Sequence, residues 1–307
     1  MNWRELLKAK AVLIADGAWG TEFQKLGLEA GEALERLNAE RPDDVAKVAG
    51  SYVEAGSDII LTNTFGASRW KLERAGLGER TAELNRLGVE ISACAAAGRA
   101  LVFASVGPVG ELMSPLGTRT EGEFIACFAE QIRACAEGGA DAIVIETQTD
   151  LGEATAALKA ARQSCALPVA VSMTFEPGAR GFATVMGVRP AQAAEALEAA
   201  GADIVGSNCG TGIEDMIAIA AQMRPATSKP LWFKANAGVP ELDRGKTVFR
   251  ETPDYMASRV GELIEAGASI IGGCCGTTPE HIRRMAESAG SLRDVARRVS
   301  ERVLADL

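Results

Sequence analysis

Three cysteines stand where this chain can do chemistry. The stretch Ser269-Ile-Ile-Gly-Gly-Cys-Cys-Gly-Thr-Thr-Pro279 passes from a short apolar run through two glycines to two adjacent thiols, Cys274 and Cys275. A helix start follows, with Thr278 as N-cap, Pro279 at the first helical position and Glu280 in the first turn. The pair therefore falls where a strand gives way to a helix. Adjacent cysteines do not make an ordinary structural disulfide with each other, but they can bind a soft metal if a third ligand arrives from elsewhere. Asp203-Ile-Val-Gly-Ser-Asn-Cys-Gly210 ends another apolar run in the same way and offers Cys209. Three thiolates leave a fourth tetrahedral position open, which is the arrangement of a catalytic zinc site. Spacing alone leaves a second reading beside this one, inert buried thiols next to glycine-rich turns, because no Cys-x-x-Cys pair is present. Cys94, Cys127, Cys135 and Cys165 lie in alanine-rich helical segments and are expected to be small core residues.

Positioning three thiols needs strands that end together. Short β-branched or apolar runs occur at 12–15, 58–62, 101–106, 141–146, 168–174, 203–207, 231–235 and 269–272, separated by segments of helical spacing rich in Ala, Leu, Glu and Arg. Four of the joints into strands read alike: Glu54-Ala-Gly-Ser-Asp58, Glu137-Gly-Gly-Ala-Asp141, Ala200-Gly-Ala-Asp203 and Glu265-Ala-Gly-Ala-Ser269. The glycine in each suits the left-handed position that ends a helix. Eight alternating units predict parallel pairing in a closed (β/α)8 TIM barrel, with the active site at its carboxyl face. An open doubly wound sheet is the other architecture, and no Gly-x-Gly-x-x-Gly opens a helix after the first strand to favour it. The joints into strands are short, whereas 107–118, 176–188 and 238–252, which follow strands, are long; long loops in compact folds are usually functional. The N-terminal 2–8 and C-terminal 291–307 read as additional amphipathic helices packed on the barrel's outside. With no linker of shifted composition, residues 1–307 are expected to be one domain.

Composition excludes some partners. The chain has 307 residues, 47% hydrophobic and 24% charged, with a formal net charge of −9. Nucleic acid and anionic membranes call for clustered positive charge, so neither is expected to bind. No stretch has the ~18 apolar residues that span a bilayer, and no signal-peptide pattern opens the chain. Seven cysteines, an odd number, suggest a reducing compartment, and a cytoplasmic location is expected.

Together, Asp16-Gly-Ala-Trp-Gly-Thr21, Leu61-Thr-Asn-Thr-Phe-Gly66, Glu146-Thr, Asn208-Cys209 and Gly272-Gly-Cys-Cys-Gly-Thr-Thr-Pro279 resemble the homocysteine S-methyltransferase family, in order and over most of the chain. Asn236-Ala-Gly with Gly245-Lys-Thr-Val looks closest to that family's homocysteine-binding module of cobalamin-dependent methionine synthase. The resemblance implies a zinc-dependent (β/α)8 barrel that methylates the thiol of homocysteine to give methionine. It implies Zn2+ on Cys209, Cys274 and Cys275. It also implies that backbone N–H groups at Asp16 and Gly17 hold the substrate carboxylate, that Glu146 takes its ammonium, and that Asn63 is a further substrate contact. The favoured methyl donor is a methylated corrinoid protein supplied by a partner. S-methylmethionine or betaine is the alternative, since Trp19 and Phe65 at strand ends can face a cation.

Other readings stand beside these. Asp150 and Glu153 fit a capping box, and His281 reads as a helix-surface residue outside the metal site. A zinc-free lyase or aldolase barrel would use Lys234, on the seventh run, as a Schiff-base lysine, with 272–276 cradling a phosphate. A non-catalytic subunit would bind homocysteine or a corrinoid protein without turnover.

Overall fold

A computed structural model describes residues 2–28, 31–243, 246–305 and 307. Eight parallel strands, Leu13–Ile14, Ile59–Ile60, Leu101–Val106, Ala142–Gln148, Val169–Met173, Ile204–Asn208, Leu231–Ala235 and Ala268–Gly273, lie side by side in chain order. The eighth pairs with the first, Leu13 against Ile270. The first meets the second through the Ala15–Ile59 bridge, so the sheet closes into a TIM barrel with helices between the strands. All eight expected strand runs are present.

The repeated joints have a physical reason. Gly56, Gly139, Gly201 and Gly267 all take positive φ, 97°, 91°, 96° and 105°, where a side chain would be strained. The aspartate that follows ties neighbouring strands at their starts. Asp58, Asp141 and Asp203 accept the backbone N–H of Ile14, Val102 and Val169 at 3.0, 2.8 and 2.9 Å. In the fourth joint, Ser269 replaces the aspartate.

Alternation along the strands separates two cores. One set, including Ile14, Ile60, Val102, Ala104, Ile143, Val169, Val205 and Phe233, packs outward against the helices. The other, including Leu13, Ile59, Phe103, Ala142, Val144, Ala170, Ile204, Trp232 and Ile270, fills the lumen. Phe103 and Trp232 stack across it with ring centroids 6.0 Å apart. Continuing the inward series toward the carboxyl ends gives Ser105, Glu146, Ser172, Asn208 and Lys234, so a polar layer lies on the apolar one.

The N-terminal helix, Trp3–Lys10, does not simply pack on the outside as expected. Trp3 and Leu7 join the lumen cluster and close the barrel's amino end. The C-terminal segment divides into Arg293–Val299 and Glu301–Ala305, and Leu304 and Leu307 pack partly against the same cluster. Two of the long loops carry antiparallel hairpins of their own, Glu176–Gly178 with Gly181–Ala183 and Glu241–Asp243 with Lys246–Val248. Gly245, part of the stretch behind the methionine synthase resemblance, lies outside the described residues.

Candidate functional site

The sixth and eighth strands bring the three cysteines together at the carboxyl mouth. The sulfur atoms of Cys209, Cys274 and Cys275 lie within 4.8 Å of one another, and Cys209 Sγ to Cys275 Sγ is 3.9 Å. Thiolates bonded at ~2.3 Å to one tetrahedral metal are separated by roughly 3.8 Å. Backbone pairing sets this arrangement. The Cys209 N–H donates to Lys234 O at 3.1 Å, and Cys274 N–H to Ala235 O at 2.7 Å. Cys209 and Thr147 are non-glycine residues with positive φ, 62° and 60°. Asn208 holds Thr147: its Oδ1 accepts from Thr147 N and Ser172 Oγ at 2.8 and 2.7 Å, and its Nδ2 donates to Thr147 Oγ1 at 2.8 Å. Strained backbone kept in place by buried hydrogen bonds is characteristic of functional sites.

The thiols hinder one another's ionisation. For Cys209 the contact with Cys274 lowers the pKa, but the contact with Cys275, burial and the Cys275 charge outweigh it and push it up to about 11. Cys275 is lowered by Cys209 and raised more by Cys274 and by burial, up to about 12. Cys274 is pushed up too, first by its contact with Cys209. Three crowded sulfur donors that oppose each other's charge suit a soft divalent cation, which would reverse that penalty. Among the described residues this is the one group of cysteine, histidine and carboxylate side chains with such spacing. Nearby, Asn236 Oδ1 and Thr211 Oγ1 are buried without a hydrogen-bond partner in the described structure, and Asn236 N–H donates to Thr211 O.

A cavity of about 420 Å3 opens over the thiols, lined also by Gly17, Trp19, Glu35, Asn63, Phe65, Ser105, Glu146 and Lys234. Glu146 is 7% exposed and accepts from Ser105 Oγ. Burial raises its pKa, against the lowering by Lys234 and Ser105. Lys234, 3% exposed, donates to Asp16 Oδ1 at 2.6 Å. Burial alone would lower its pKa, but the charges of Asp16, Glu146 and Cys274 outweigh it and raise it. A lysine kept protonated is a poor Schiff-base nucleophile, which removes the support for the lyase reading.

Each of the other expected site residues has a definite place. The Asp16 side chain is spent on structure: besides Lys234 it accepts from Trp19 Nε1 at 2.7 Å and from Leu61 N at 2.8 Å. Gly17 is wedged so tightly that a Cβ would lie 2.8 Å from both Thr277 Oγ1 and Tyr52 Cε1. Asn63 lines the cavity, but its amide donates to Leu34 O and Asn38 Oδ1, at 2.8 and 2.9 Å, which leaves only its carbonyl for a ligand. Phe65 stands at the rim with the Lys71 ammonium 4.8 Å from its ring centroid.

Three expectations are corrected. Asp150 caps its helix through Gly152 N, but Glu153 reaches away to accept from Val109 N at 2.7 Å, so no capping box forms. His281 is buried, not on the surface: Nδ1 accepts from Thr278 N at 3.1 Å and Nε2 faces Glu251 O at 3.0 Å. It ties the loop after the seventh strand to the last barrel helix. Cys94 is exposed and Cys165 half-buried; of the four cysteines expected in the core, only Cys127 and Cys135 are there. Glu35, a buried carboxylate on the cavity wall that accepts from Gly66 N at 2.6 Å, gave no signal in the sequence. Ser105 did, through its inward position two residues after Phe103.

The fold and site define a TIM-barrel protein with a three-thiol centre at its carboxyl face. A profile of the homocysteine S-methyltransferase family matches residues 13–289, and the chain belongs to that family. It is an enzyme family, which agrees with a methyltransferase. The methionine synthase of Mycobacterium tuberculosis is 31% identical over 310 residues, covering 95% of this chain and 26% of that protein. Betaine–homocysteine S-methyltransferase 1 of Rattus norvegicus is 29% identical over 321 residues, covering 97% and 77%. The chain thus spans about a quarter of the methionine synthases that it resembles. In fold it is similar to the metallated form of the homocysteine methyltransferase MmuM from Escherichia coli, with a TM-score of 0.78, 23% identity and coverage of 92% of this chain and 98% of that one. No described helix is long and apolar enough to cross a membrane.

Proposed function

We propose that this protein transfers a methyl group to the thiol of homocysteine, forming methionine, with Zn2+ held by Cys209, Cys274 and Cys275. The observation that carries the reading is three sulfur atoms within 4.8 Å of one another, lining a cavity with a buried carboxylate. A bound Zn2+ supplies ionisation of the substrate thiol, which is otherwise mostly protonated at neutral pH. Glu146 receives the substrate ammonium, and the Ser105 hydroxyl fixes the carboxylate for it. Asn208 keeps the Thr147 backbone in its strained shape, and the bond from Cys209 N–H to Lys234 O fixes Cys209, so that the cavity is formed before substrate enters. The thiol proton leaves to solvent, the sulfur lone pair forms the new S–C bond, and the donor departs with the electron pair of the bond that breaks.

The donor in this reading is a methylated corrinoid carried by a separate protein. Similarity to methionine synthases, of whose length this chain spans about a quarter, supports it. So do the exposed apolar side chains Leu112, Leu116, Val185, Val239 and Leu242, on the loops after the third, fifth and seventh strands. A large carrier can cover such a surface, whereas a small cationic donor has no use for it. All seven cysteines are free thiols, which suits the reducing cytoplasm. The test is methionine formation by zinc-loaded protein from homocysteine with methylcobalamin, S-methylmethionine or betaine. No methionine from any of them, with homocysteine bound, would leave only a binding protein.

A further inference from the structure

We propose that Lys234 receives the carboxylate of the amino-acid substrate, while Glu146 receives its ammonium. The inference rests on the homocysteine reading and names how the substrate's charged end is held. Lys234 follows Trp232 in the inward series of the seventh strand, so its stem rises from the apolar layer and its head lies in the cavity wall. An ammonium has three N–H donors. One goes to Asp16 Oδ1 at 2.6 Å, and among the described residues no other hydrogen bond to Nζ is formed.

Charge narrows the choice further. Of the described residues lining the cavity, Glu35 and Glu146 are acidic, three are thiols, and Lys234 is the one cation. Among these lining side chains, Lys234 is the one with which an entering carboxylate can form an ion pair. Asp16 cannot take over the lysine's remaining donors, because its second oxygen already serves Trp19 Nε1 and Leu61 N. The pairing also places Nζ beside the end of the first strand, where the family resemblance puts the carboxylate. There the Ala18 N–H is already given to Thr277 Oγ1 at 3.2 Å. A side-chain ammonium thus adds to whatever backbone donors remain. Chemically the cavity offers three points for an amino-acid thiol: sulfur donors for the sulfur, a carboxylate for the ammonium and an ammonium for the carboxylate.

The competing role is purely structural, with Lys234 serving only to neutralise Asp16. Calorimetric titration separates the two by comparing homocysteine with 3-aminopropanethiol, which keeps the thiol and ammonium but lacks the carboxylate. On the zinc-loaded parent, homocysteine is expected to bind more tightly. Lys234→Met should weaken homocysteine about ten- to a hundredfold, the size of a charge-assisted hydrogen bond, and leave 3-aminopropanethiol within about threefold. Equal losses for both ligands, or an unchanged homocysteine affinity, would overturn the proposal. A parent that binds 3-aminopropanethiol but not homocysteine would instead overturn the homocysteine reading. Removing the cation leaves Asp16 buried and unpaired, and the variant can fail to fold. The parent's crystal structure with homocysteine then decides: a carboxylate oxygen ~3 Å from Nζ is expected, and a carboxylate held elsewhere refutes it.

Discussion

Glu146→Gln is the sharpest test of the substrate site. Glutamine matches the shape and can still accept from the Ser105 hydroxyl, so the strand and the cavity wall should stay as they are. What is lost is one buried negative charge, 7% exposed, facing the place where the substrate ammonium would sit. A hydrogen bond to a charged partner is worth about 1.5–3 kcal/mol, so homocysteine affinity should fall roughly ten- to 150-fold. Metal content should not change, because Glu146 is not among the clustered sulfur donors. The control ligand is 4-mercaptobutyrate, which lacks the ammonium and should bind parent and variant alike. Protonation adds a second readout. Only the ionised carboxylate pairs with an ammonium, and burial raises the Glu146 pKa above the ordinary 4.5. Loss of the thiol proton makes homocysteine affinity decline with falling pH in both proteins, but the parent's decline should steepen above the range where an exposed glutamate titrates, and the variant should lack that added steepness. If Glu146→Gln bound homocysteine as tightly as the parent, or lost both ligands equally, the assignment of Glu146 to the ammonium would be refuted.

Three further outcomes are expected. Cys209→Ser should lower zinc content sharply by metal analysis of reduced protein, whereas Cys94→Ser, at an exposed helical position, should leave it near one per chain. Glu153 has its pKa raised to about 7, chiefly by burial. An unfolded glutamate ionises near 4.5 while the folded one keeps its proton, so stability should fall as pH rises between these values and level off above about 7. Glu153→Gln, which still accepts from Val109 N, should remove that fall and exceed the parent by up to about 3 kcal/mol in urea denaturation at pH 8. The two should converge near pH 4, and a gap independent of pH would contradict the assignment. Gly17→Ala should destabilise by about 1–3 kcal/mol, since the new methyl meets Thr277 and Tyr52 at 2.8 Å; a melting temperature equal to the parent's would show that those neighbours give way.

The barrel was legible in the sequence because its determinants are local. Each joint carries its own helix-ending glycine and strand-starting residue, and the alternation inside each strand marks a residue as inward or outward without knowledge of any other strand. The strand-end cysteines were legible for the same reason: a glycine-rich turn after an apolar run places Cys209, Cys274 and Cys275 at one face once the strands are parallel. Local pattern does not report what lies across the lumen. Lys234 and Asp16, 218 residues apart, form a buried ion pair that turns a possible Schiff-base lysine into a fixed cation. His281 looks like a surface residue on its own helix, and only the loop ending at Glu251 buries it. Glu153 has the spacing of a capping box, yet Val109 N–H, brought near by the loop after the third strand, takes its carboxylate. Cys94 sits among alanines that suggest a core, but its face of the helix meets solvent. The sequence alone determined the strands, the joints and which residues end at the mouth, since those follow from steric preference and burial within a few residues. The tertiary structure decided the charge and hydrogen-bond partners of the site, because such forces act between groups that only folding brings within a few ångströms.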